Sequence, residues 1–188
     1  MEITLRDLLT IVHGMGFGAL FMLAFSGAIG VIYATAVIGP ERPTATGDMR
    51  LFRFYLVSMA VLAWLTVLSG TFIIYPWYRA APPAGVTDMS AYPKALLLSS
   101  AHTAGWHNLG MEWKEHLAWF TPISMTMVAY LFSRYGPELA RRRQLRSAVL
   151  GFTAVAFFAT GVAGAFGALL NKNAPIRGGA VVVLQREK

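Results

Sequence analysis

The fold of this chain is decided by the uncharged stretch LLTIVHGMGFGALFMLAFSGAIGVIYATAVIGP, residues 8–40. It contains no Asp, Glu, Lys or Arg, and about 20 predominantly apolar residues are enough to cross a bilayer as a helix. Three more stretches share this lack of charge, at residues 54–78, 116–133 and 147–171. Lipid offers no hydrogen-bond partner to an exposed backbone, which favours helices as the spanning elements. The sequence therefore predicts an all-α integral membrane protein built as a four-helix bundle.

We expect one transmembrane domain, residues 1–171, followed by an extracytoplasmic tail. The boundaries predicted for its parts are residues 7–39, 51–76, 111–133 and 145–171 for the helices and residues 172–188 for the tail. The outer loop between the second and third helices is predicted to carry a short interfacial helix at residues 91–102. Residues 180–184 of the tail, AVVVL, are typical of a short strand that pairs with a partner.

The composition supports a membrane protein and fixes its expected orientation. Of the 188 residues, 56% are hydrophobic and 13% are charged, whereas soluble domains carry about 25% charged residues. The net charge of +7 lies at membrane edges, which argues against nucleic-acid binding. Short loops dense in Arg, at residues 41–53 and 134–146, mark the cytoplasmic side. We therefore expect a bacterial inner-membrane protein with both termini outside the cytoplasm.

The absence of cysteine limits the chemistry that the chain can support. Without thiolates the chain cannot ligate an iron–sulfur cluster or attach a c-type haem. The sequence also lacks a Ser–His–Asp arrangement and a phosphate-binding loop, so hydrolase and nucleotide chemistry have no support. The histidines are left as the candidate functional residues.

His13 and His116 are the strongest site candidates. Each lies a few residues inside a predicted helix, and both helices enter the membrane from the same side, so the two imidazoles are expected at similar depth. Ionisable residues at membrane depth are costly and mark functional sites. Two imidazoles could hold a haem iron between them, and Gly14 and Gly16 would leave room for the flat macrocycle. Arg6, Arg79, Lys114 and Lys172 lie near this end and could pair with the haem propionates.

Three alternatives to haem remain open at this point. One is a copper, zinc or iron site in the outer segment, with ligands from His102, His107, Glu112, Glu115 and His116. Another is ligation of a chlorophyll-type pigment by one transmembrane histidine. The third is that no cofactor binds and the histidines are residues of the membrane interface whose ring nitrogens are solvated. This is our preferred interpretation for His102 and His107.

Glu112 and Glu115 lie just before the third predicted span and allow two interpretations. A carboxylate at the membrane interface could accept a proton from a quinol, because quinol oxidation releases protons. Carboxylates in the first turn of a helix are also favoured simply by the helix dipole. The second interpretation is the simpler one, and the first makes these residues a candidate quinone and proton site.

With His13 and His116 on separate helices, and Gly14 and Gly16 beside the first, the chain resembles at class level the four-helix membrane b-type cytochrome subunits of respiratory complexes. The resemblance implies one haem b near the extracytoplasmic face, relaying electrons between quinol and a partner redox protein. It implies a redox subunit of a larger oxidoreductase complex rather than an enzyme that acts alone. Many such subunits hold two haems, whereas here all four histidines lie at one end, so one haem is expected. The competing hypothesis is a cofactor-free structural or assembly subunit.

Overall fold

A computed structural model describes residues 2–37, 46–139 and 141–183, and these residues are mostly helical. Three of the helices are long and apolar enough to cross a membrane, namely Leu5–Gly30, Met49–Arg79 and Arg143–Asn173. Their length and composition confirm the membrane-protein character expected from the sequence and indicate a lipid bilayer as the surroundings.

The first two long helices each change from α-helical to π-helical geometry and back. The first helix comprises Leu5–Ile11, the π-helical Val12–Ala19 and Leu20–Val37. The second comprises Thr46–Ser69, the π-helical Gly70–Ile74 and Tyr75–Arg79. The first helix begins at a capping box, in which the backbone N–H of Asp7 donates to Thr4 Oγ1 and that of Thr4 donates to Asp7 Oδ2.

The third helical region is broken where the sequence predicts one span at residues 111–133. It comprises the π-helical Trp106–Met111 and Trp113–Leu117, then the α-helix Phe120–Tyr135 of 16 residues. Pro122 has no N–H to donate, and the backbone around it turns: Thr121 N–H donates to the Ala118 carbonyl. The fourth helix, Arg143–Asn173, is continuous over 31 residues.

The main apolar core fills the middle of the molecule and one of its ends. Its aromatic side chains are buried and meet edge to face, as in the Phe52–Phe132 pair with ring centroids 4.7 Å apart. The third helical region packs between the second and fourth helices. Thr160 Oγ1 donates to Thr121 Oγ1 over 2.8 Å and adds a buried polar contact between the third and fourth.

The loop and the two termini meet at the opposite end. Short helices form at Pro93–Leu98 and Ala101–Gly105, where the sequence predicts one. The strand expected in the tail also forms, at Val181–Val183, and it pairs antiparallel with Glu2–Thr4 of the same chain. We call this end, which contains His13 and Tyr78, the histidine end. We call the end that contains Met49 and Leu139 the arginine end, because it adjoins the Arg-rich loop.

Candidate functional site at the histidine end

His13 is half-buried in the π-helical part of the first helix and faces the second helix. Its Nδ1 lies 2.9 Å from Ser69 Oγ, and the Ser69 hydroxyl donates its own hydrogen to the Thr66 carbonyl over 3.1 Å. Ser69 Oγ therefore accepts from the Nδ1–H of His13. In the neutral imidazole this assigns the proton to Nδ1 and leaves a free lone pair on Nε2.

Gly70 allows the second helix to approach the His13 ring. A Cβ placed on Gly70 would lie 2.8 Å from His13 Cε1, closer than side-chain carbon atoms normally come. The pair Ser69 and Gly70 thus both orients the imidazole and leaves room for it. The sequence interpretation missed these two residues, although a Ser-Gly pair inside the uncharged stretch 54–78 was a visible signal.

His116 has the same tautomer in a different setting. Its side chain is 69% exposed, and its Nδ1 lies 3.0 Å from the backbone carbonyl of Glu112. A carbonyl only accepts, so Nδ1 carries a hydrogen, and in the neutral form of the ring Nε2 is then the free nitrogen. Donation from Nδ1 to an acceptor while Nε2 remains open is the usual arrangement of a histidine that binds a metal.

The structure does not bring the two candidate ligands into direct contact. Within the described ranges, His13 and His116 share neither a hydrogen bond nor a ring contact. Gly14 and Gly16 are exposed, and the position of a Cβ on Gly14 is open space, so the room beside His13 lies on the outer side of the first helix. Joint ligation of one iron by both imidazoles remains a prediction.

Lys114 and Trp113 both turn towards the fourth helix. The Nζ of Lys114 lies over Gly167, where an added Cβ would come within 2.8 Å of it. Its positive charge is close enough to act on the His13 imidazole. Trp113 packs against Phe166 with ring centroids 6.3 Å apart, and its Nε1–H is buried without a partner among the described residues.

A second polar cluster surrounds Tyr78, which is only 4% exposed. The Tyr78 hydroxyl lies 2.8 Å from His107 Nδ1, and the Tyr75 ring stacks on that of Tyr78 with centroids 6.4 Å apart. The carboxylate of Glu115 is close enough to interact electrostatically with Tyr75, Tyr78 and His107. Burial and the nearby Lys94 lower the pKa of His107, against the opposing effect of Glu115 and its neighbour Glu112.

The candidate carboxylates and the remaining histidine are therefore distinguished by their surroundings. Glu112 is exposed and lies 3.5 Å from His116 Nδ1 through its Oε2, whereas Glu115 is half-buried beside the tyrosines. His102 is exposed on the loop. Across the described part of the chain, no three His, Asp or Glu side chains are grouped so as to hold a metal ion, so the alternative of a non-haem metal gains no support.

Irregular helix geometry is concentrated at this same end. The four π-helical segments of the described ranges all lie there, and π-helical turns occur frequently at functional sites. Comparison with models of protein families, with curated proteins and with solved structures finds no match to the chain. The assignment of a function therefore depends on the geometry of the histidine end.

Proposed function

We propose that the chain is a membrane electron-transfer subunit that holds one haem b at the histidine end through Nε2 of His13 and Nε2 of His116. In this proposal residues 111–133 form a fourth span, the membrane is the bacterial inner membrane, and both termini are extracytoplasmic. The observation that carries the proposal is a shared contact: Nδ1 of each imidazole lies within 3.0 Å of a protein oxygen, Ser69 Oγ for His13 and the Glu112 carbonyl for His116, so that Nε2 of each ring could serve as the ligand.

The residues of this end fit such a group in two respects. Neutral imidazole nitrogen is an axial ligand of haem iron, and both histidines offer it. The Trp113 Nε1–H is a buried donor without an acceptor in the described ranges, and the Lys114 ammonium group lies beside it in sequence, over Gly167, so the two donors are suited to an acidic prosthetic group.

Bound at this end, haem b would supply a carrier for one electron at a time. The residues of the chain would perform the remaining tasks. Ser69 would keep Nε2 of His13 available by accepting from Nδ1–H, and the Glu112 carbonyl would do the same for His116. These contacts fix ring orientation, which strengthens ligation.

Glu115 is the proposed proton acceptor in quinol oxidation. Conversion of a quinol into a quinone releases two electrons and two protons, and the electrons would leave singly for an oxidised partner redox protein. Glu115 is half-buried next to Tyr75, Tyr78 and His107. It could take each proton in turn and pass it to the solution outside, with the His107–Tyr78 pair as a neighbouring acceptor and donor.

A visible spectrum tests this proposal. We expect the chain, purified from haem-replete cells, to show a Soret band, an α-band on reduction, and one haem per chain by pyridine haemochromogen assay. We expect a quinone to act as electron acceptor. Its addition to the reduced chain should oxidise the haem and remove the α-band. A purified, folded chain with no Soret band, and no Soret shift when haem is titrated into it, would contradict the proposal.

A second candidate function is a cofactor-free structural or assembly subunit. The observation that favours it is the 69% exposure of the His116 side chain, which leaves that imidazole outside any enclosed pocket of this chain. Large apolar side chains at 70% exposure, such as Leu23, Phe54 and Phe72, also offer surface for lipid or neighbouring subunits. The spectrum separates the two candidates, because a scaffold would show protein absorbance alone.

A further inference from the structure

Among the described cations of the histidine end, Lys114 is one that turns inward without an acceptor. Of the four cations named from the sequence, Arg6 donates to the Arg177 carbonyl and lies over the Trp77 ring. Arg79 donates to the Tyr75 hydroxyl, and Lys172 is exposed to the surroundings. The side chain of Lys114 instead turns inward onto Gly167 of the fourth helix, and its Nζ makes no hydrogen bond or ion pair with any described residue.

An isolated ammonium group in apolar surroundings is unfavourable. Charge that leaves water is stabilised only by a partner of opposite charge and by hydrogen bonds. The neighbouring Trp113 adds a second unsatisfied donor, because its buried Nε1–H also has no acceptor in the described ranges. A buried donor such as the Trp113 Nε1–H normally has a partner, so Trp113 and the adjacent Lys114 are suited to an anionic oxygen group that the described residues do not provide.

The position of this charge relates it to His13. Lys114 is close enough to act electrostatically on that imidazole, so an anion paired with it would lie near the group that His13 binds. Gly167 leaves the space that Nζ occupies, since any larger residue there would displace the ammonium group. A ligand that contains both a metal ion, which the His13 imidazole could bind, and an acidic substituent, which could pair with Lys114, would satisfy both residues.

We propose that Lys114 and Trp113 form a carboxylate-binding site that holds a propionate of the prosthetic group ligated by His13. This inference rests on the proposed function and adds to it the residues that orient the macrocycle. A charge-assisted hydrogen bond from Nζ to a carboxylate is about twice as strong as a neutral one. The site would thus fix which edge of the macrocycle faces the fourth helix.

The test compares two probes on the full-length chain freed of haem, namely haem b and its dimethyl ester, which lacks both carboxylates. We expect the wild-type chain to bind the acid about 10-fold more tightly than the ester, the effect of roughly one charge-assisted contact. Lys114→Met should bind both probes with similar affinity, Lys114→Arg should retain the preference, and the exposed control Lys172→Met should behave as wild type. Soret titration gives each affinity, and size-exclusion profiles confirm that each variant is folded.

The outcomes separate this inference from the proposed function. Equal binding of acid and ester by the wild-type chain, or an unchanged preference in Lys114→Met, would overturn the carboxylate site while leaving haem ligation intact. Phosphatidylglycerol that remains bound to the wild-type chain but not to Lys114→Met, together with equal binding of the two haem probes, would assign the cation to a lipid phosphate and overturn the inference. Failure of both probes to bind would contradict the proposed function itself.

Discussion

The two ends of the molecule follow different rules. Towards the arginine end, regular α-helices meet through rings such as Phe25, Phe52 and Phe132, which are almost completely buried. At the histidine end, half-buried polar groups such as His13 and Lys114 lie on π-helical turns, and the enclosed apolar cluster is smaller. Close packing of side chains specifies a fold. Irregular helix geometry and hydrogen-bond donors without a partner lower stability, and they are expected where residues are arranged for a functional site.

The largest expected effect concerns His13. His13→Ala removes the half-buried nitrogen ligand, so the purified variant should lose nearly all of its haem while its helix content stays the same. His102→Ala, which changes an exposed loop residue, is the matched control and should keep a full complement. The ratio of Soret to protein absorbance measures the haem content. A His13→Ala chain with as much haem as the control would contradict the assignment.

The second prediction addresses the packed end. Phe132 is 1% exposed and meets Phe52 edge to face, so Phe132→Ala should lower the free energy of unfolding by about 3–5 kcal/mol. Phe158, which is 65% exposed, provides the control, because Phe158→Ala removes the same atoms without leaving a cavity. Thermal unfolding in detergent compares them. Similar melting temperatures for the two variants would show that the core does not specify the fold as described.

The third prediction concerns the orientation of the ligand. Ser69→Ala removes the acceptor of the His13 Nδ1–H, and loss of such a supporting contact typically lowers metal affinity 10–100-fold. Ser26→Ala is the control, since its exposed hydroxyl donates only to the Leu23 carbonyl. Haem titration into the apo chains measures the affinity. If Ser69→Ala and Ser26→Ala bind haem equally well, Ser69 has no part in positioning His13.

Much of the architecture could be predicted from the sequence, since uncharged runs as long as residues 8–40 have few alternatives to spanning helices. The π-helical turns could not be predicted, because one extra residue in a helical turn produces no recognisable sequence pattern. Their effect on the site is large. They accompany the turn of Lys114 towards the fourth helix while His116, two residues on, is exposed. Spacing along the chain alone could not show that the two histidines have different surroundings.

The tyrosine cluster illustrates the same limit. In the sequence Tyr75 and Tyr78 only end the uncharged stretch 54–78, but the fold brings His107 to Tyr78 and Glu115 near both rings. Pairing across 29 positions depends on the path of the loop, which no local pattern encodes. The sequence did identify Glu115 as a candidate proton acceptor, and its surroundings now distinguish it from Glu112.

The smallest expected effect is a dependence of stability on pH. The pKa of His107 is lowered in the folded chain from the value of about 6.5 expected for the unfolded chain, so the unfolded state binds more protons in this range. The stability that His107 contributes should be complete above about pH 6.5 and decline as the pH falls through its folded pKa. Melting temperatures at pH 7.5 and 5 should therefore differ less in His107→Gln than in wild type or His102→Gln. An identical difference in all three chains would contradict this role.

Electron paramagnetic resonance of the oxidised, purified chain at low temperature tests the central claim most directly, because the signal of ferric haem reports its axial ligands. Ligation by His13 and His116 predicts a low-spin signal in the wild-type chain and its replacement by a high-spin signal in His116→Ala, where one imidazole is lost. A wild-type chain without a haem signal, or a low-spin signal that is unchanged in His116→Ala, would contradict the account.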